Sequence, residues 1–97
     1  MNRRDRLAAR KEGNLDTTAF LKVADKFIDV ANRENRNVVA TQLHMAMLWA
    51  AARYSAFVAK TIMKIENHEE FVDVMQKEYV EMLRQHLGDE SIDPPGA

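Results

Sequence analysis

Residues 38–65 read VVATQLHMAMLWAAARYSAFVAKTIMKI, from Val38 to Ile65, and the fold turns on this stretch. It holds no glycine and no proline. It is too long for a strand and too rich in alanine and methionine to favour one. A helix of ~28 residues spans roughly 42 Å at 1.5 Å per residue. Stepping the side chains round at about 100° per residue separates two apolar stripes. The first holds Val39, Leu43, Ala46, Met47, Ala50, Tyr54, Phe57, Val58 and Ile65. The second lies nearly opposite and holds Val38, Met45, Leu48, Trp49, Ala52, Ala56, Ala59 and Met63. Gln42, Arg53, Lys60 and Lys64 form a polar seam between them; His44, Ala51, Ser55 and Ile62 fill the other side.

Two more helices flank this one. The first runs from about Thr17 to Glu34, with Asp16, Thr17 or Thr18 able to cap it. Their side-chain oxygens can accept the first-turn N–H groups that lack a helical partner. Phe20, Ala24, Phe27 and Ala31 share one line, with Leu21, Ile28, Val23 and Val30 beside it. Lys22, Asp25, Lys26, Asp29 and Arg33 take the other side, so one wide face is built for burial. A polar connector, NRENRN at 32–37, leads to a central helix that should start near Asn35 or Asn37. So short a link between long helices makes them antiparallel neighbours.

The third helix is expected over Asn67 to Leu87. Asn67 and Glu70 resemble a capping box, and Glu69, Glu70 and Asp73 suit the positive end of the helix dipole. Its apolar face holds Phe71, Val72, Met75, Tyr79, Met82, Leu83 and His86, and Gly88 stops it. The expected fold is therefore all-α, a long central helix between two antiparallel partners, over residues 15–88. Residues 1–14 form a basic arm that can make a short helix. Residues 89–97 form a polar tail ending in Pro94-Pro95-Gly96-Ala97, for which disorder is expected.

The composition narrows the function classes. The formal net charge is −1, against whole-protein attraction to nucleic acid. The charge is uneven: net +3 over 1–13, +3 over 14–65 and −7 over 66–97. With no cysteine there is no disulfide, thiolate nucleophile or thiolate metal ligand. The N-terminal residues follow their positive charge with no apolar run, so they do not read as a secretory signal. The apolar window 43–59 contains Arg53 and is closed by Lys60 and Lys64, so it reads as a soluble helix and not a membrane span. A cytoplasmic protein is the expectation.

No catalytic pattern emerges. His44, His68 and His86 have no metal-pair spacing, and no H-E-x-x-H or Glu-x-x-His motif occurs. The acids Glu66, Glu69, Glu70 and Asp73 read as a solvated face. Ser55 and Ser91 lack a glycine elbow and a nearby histidine pattern. No enzyme, cofactor or metal site is expected. The arm RRDRLAARK supplies charge for phosphate but no aromatics for base stacking. A nucleic-acid accessory role resting on that arm is the alternative reading.

The leading expectation is self-association. Two one-faced helices cover one stripe of the central helix and part of its flanks, leaving the second stripe over. Its small residues allow close helix approach, toward 8 Å between axes. Leu48, Trp49, Ala52, Arg53, Ala56, Ala59 and Met63 are thus the interface candidates of a homo-oligomer, a dimer first. Arg53 interrupts the apolar run and calls for an acid partner or a path to solvent.

Two stretches, FIDVAN at Phe27–Asn32 and AAARYSAFV at Ala50–Val58, together resemble a small bacterial family of short all-helical proteins known only as a domain of unknown function. The resemblance covers roughly residues 20–87 and leaves out the basic arm and the proline tail. It implies a helical domain with no enzymatic signature and assigns no functional residue.

Overall fold

The computed structural model describes residues 15–95. Among these residues three α-helices follow in order, α1 (Thr17–Glu34), α2 (Ala40–Val58) and α3 (His68–Leu87). A π-helical turn, Ala59–Met63, follows α2, and a 3₁₀ turn, Glu90–Ile92, follows α3. No strand occurs among the described residues. The basic arm, residues 1–14, lies outside them, as do residues 96–97. The chain divides within α2 into two units, Met1–Ala51 and Ala52–Ala97.

In the first unit, α1 starts where its capping residue puts it. Asp16 is extended (φ −69°, ψ 167°), and its Oδ1 accepts the N–H of Ala19 at 2.8 Å. Such a cap contributes about 1 kcal/mol. The helix ends because the connector turns its own N–H groups back on it. Asn35 donates to the Ala31 carbonyl at 2.9 Å, and Asn37 and Val38 donate to Glu34 at 3.0 and 2.9 Å. Asn35 and Asn37 thus close α1 and do not open the central helix, which starts at Ala40, later than the sequence suggests. The Val39 carbonyl takes its first bonds, from Gln42 and Leu43.

In the second unit the central helix departs further from a continuous 28-residue rod. The α-helical pattern ends at Val58. Over Ala59–Met63 the chain widens to i→i+5 bonding, the pattern of a π turn. Thr61 reaches back with its Oγ1 to the Phe57 carbonyl at 2.6 Å, a contact of the kind that bends helices. Lys64 then adopts the left-handed conformation (φ 52°, ψ 52°) and stops the helix. Its N–H and that of Ile65 both turn back to the Ala59 carbonyl. A left-handed non-glycine residue costs roughly 1–2 kcal/mol. Lys64→Gly relieves that strain against a smaller loss to unfolded-chain entropy, so a gain of about 0.5–1 kcal/mol is expected in chemical denaturation. A loss of stability would show that the lysine side chain matters more than its backbone.

Asn67 caps α3, its Oδ1 accepting the Glu70 N–H at 3.1 Å. Gly88 sits at the far end as expected, but in the right-handed region (φ −84°, ψ −3°), so its conformational freedom is not used. The 3₁₀ turn occupies part of the segment expected to be disordered. Asp89 caps it, accepting the Ser91 N–H at 2.9 Å. Bonding to the Ser91 backbone and then its hydroxyl, with His86 nearby, holds the Asp89 carboxyl below the ordinary aspartate range.

Burial is where expectation and structure part most. The apolar faces form as the periodicity requires, but they are not covered. Ala59, at 1% exposure, is the one buried residue among those described. On α1, Phe20 and Phe27 are 58% and 65% exposed. On α3, Phe71 is half-buried, while Tyr79 and Met82 are each 45% exposed and His86 is exposed as well. The expected buried faces of the first and third helices are thus corrected to exposed ones. Periodicity specifies which side of a helix is apolar; it does not specify what lies against it.

Candidate functional site

The feature that stands out chemically is the surface of α2. Leu48, Trp49, Ala52, Arg53 and Ala56 fall within one side of a regular α-helix, because their spacings of three, four and seven residues return to the same face. Leu48 is 37% exposed and Trp49 66%, and Ala52, Arg53 and Ala56 are exposed too. An exposed tryptophan beside small alanines offers a large apolar contact surface and shallow space next to it.

The two remaining interface candidates lie in the π turn, where the helical register changes. Ala59 is buried, its carbonyl engaged by Lys64 and Ile65, so it adds no surface to the stripe. Met63, 57% exposed, comes after the extra residue of the wide turn. Its place on the stripe cannot be carried over from the spacing that holds up to Val58. The opposite stripe carries exposed side chains too. Tyr54 and Phe57, 69% and 55% exposed, lean on each other with ring centroids 6.2 Å apart at 37°. Leu43, Met47 and Val58 are half-buried. Both stripes thus carry exposed residues, and the first carries more half-buried ones.

No arrangement of titratable groups competes with this surface. His44, His68 and His86 are all exposed. Among the described residues no three histidine, aspartate or glutamate side chains gather as a metal site. An open depression of about 340 Å³ runs along α3, lined by Asp73, Gln76, Lys77, Val80, Glu81 and Arg84. All six residues belong to one helix, so it is the outer side of α3 and not an enclosed cavity. Among the described residues no helix is long and apolar enough to cross a membrane.

A family model described as a protein of unknown function (DUF3144) matches residues 20–90. The chain belongs to DUF3144. Both FIDVAN and AAARYSAFV lie inside the matched region, so the resemblance read from them holds at the level of the family. The DUF3144 region takes in nearly all of α1, all of α2 and α3, and the π turn. It leaves out Asp16 and the basic arm. No curated protein matches the chain, and no solved structure does.

Proposed function

We propose that this DUF3144 chain is a self-associating structural or protein-interaction module and not an enzyme, with a homodimer as its working unit. The observation that carries this reading is the exposed apolar surface of all three helices, with Phe27, Trp49 and Tyr79 among its large members. Twenty-three large hydrophobic side chains are exposed among the described residues. Fully burying one such residue stabilises by roughly 1.5–3 kcal/mol. Because these side chains are already partly covered, burying half of them contributes roughly 10–20 kcal/mol before ordering entropy is counted, comparable with the net stability of an ordinary domain, about 5–15 kcal/mol. Helices 18 to 20 residues long are near the lower limit of independent stability in water, however well capped.

In the assembled state a central α2 lies between two antiparallel helices, whether these come from its own chain or from another. The absence of cysteine suits the reducing cytoplasm, which is the compartment proposed. Light scattering on the purified chain at micromolar concentration tests the reading. A mass of twice 11.1 kDa or a higher multiple is expected. A monomer that keeps its full helical signal would overturn it.

A further inference from the structure

The self-association just proposed leaves open which element of a second copy meets α2, and the charge pattern answers that. Between Glu34 and Glu66 the chain carries Arg36, Arg53, Lys60 and Lys64 and no acid. Arg53 lies along the edge of the stripe that holds Leu48, Ala52 and Ala56, Lys60 follows in the π turn beyond Val58, and both are exposed. Packing α2 on a second α2 brings the two basic edges to one interface with no carboxylate in either helix to offset them. Like charges set against each other across an interface disfavour it.

The third helix is complementary in both charge and size. Residues 66–97 carry a net charge of −7. On α3, Glu78 borders the apolar face of Phe71, Met75, Tyr79 and Met82, Glu81 lies further round toward the outer side, and both acids are exposed. Tyr79 and Met82 are large where Ala52 and Ala56 are small, so the two faces can interlock as ridge and groove. We infer that α3 of one copy lies along the Leu48–Ala56 stripe of a second copy, its Glu78 and Glu81 edge set against Arg53 and Lys60. By two-fold symmetry the second copy returns the same contact, so each dimer holds two such pairings. This inference rests on the proposed self-association.

Charge reversal on each side tests it. One variant is Arg53→Glu with Lys60→Glu; the other is Glu78→Lys with Glu81→Lys. Mass is followed by sedimentation velocity and helicity by circular dichroism, for each variant alone and for an equimolar mixture. Each variant alone is expected to associate at least tenfold more weakly than the unchanged chain. The mixture is expected to regain a heterodimer, because both pairings then join opposite charges. The mixture is informative even if neither variant folds alone, since only complementary pairing restores helix on mixing. An α3 variant that dimerises like the unchanged chain would overturn the pairing and leave self-association standing, as expected if α2 met α2. Two weakened variants that fail to rescue each other would overturn it also. An unchanged chain that is itself monomeric would overturn the underlying reading.

Discussion

Trp49→Asp is expected to shift the protein to monomer and to remove most of its helical signal with it. Trp49 is 66% exposed and set beside Ala52 and Arg53 on α2. Tryptophans of this kind are the commonest interface anchors, and truncating one costs about 2 kcal/mol or more. An aspartate there adds the cost of taking a carboxylate out of water, several kcal/mol in effective terms. Together these weaken association by roughly a thousandfold or more, at about 1.4 kcal/mol per tenfold. Sedimentation and circular dichroism at one concentration read both effects. Lys22→Asp, on the polar side of α1, is the matched control and should leave mass unchanged. Were Trp49→Asp to stay associated with full helicity, the α2 surface would not be where copies meet.

Much of the local structure was legible because it is decided within a few residues. The α1 bounds, Thr17–Glu34, come from Asp16 at one end and the polar connector at the other. Asn67 marks the start of α3 and Gly88 its end, though the glycine uses an ordinary helical conformation. The central helix is less legible at both ends. Asn35 and Asn37 look like caps for α2, but their N–H groups serve α1. Nothing in AKTIMKI announces a left-handed residue, since the position is held by Lys64 and not by glycine or asparagine.

The candidate surface shows the same division. The 3.6-residue period places Leu48, Trp49, Ala52, Arg53 and Ala56 on one side, and α2 keeps that period as far as Val58. It gives no warning of the π turn, which buries Ala59 and takes Met63 out of the extrapolated line. A sequence-level hint exists in Thr61, whose hydroxyl can back-bond four residues upstream to Phe57, but threonines do so in many regular helices. The element that covers each apolar face was not legible at all. The sequence points to two helices shielding one stripe of α2, while Tyr54 and Phe57 on that stripe and Leu48 and Trp49 on the other are exposed.

Folding and association are therefore expected to be one equilibrium. If the apolar faces of α1, α2 and α3 are covered only by another copy, the isolated chain lacks the buried surface that offsets its conformational entropy. For a dimer, each tenfold rise in concentration adds about 1.4 kcal/mol to apparent stability. At this chain length that raises the melting midpoint by several degrees per tenfold. Helicity measured during thermal unfolding, across a hundredfold range of protein concentration, is the most direct test. The expected result is a midpoint that climbs steadily with concentration and a helical signal that fades on dilution. A midpoint that stays constant across that range, with full helicity at the lowest concentration, would contradict coupled folding and association.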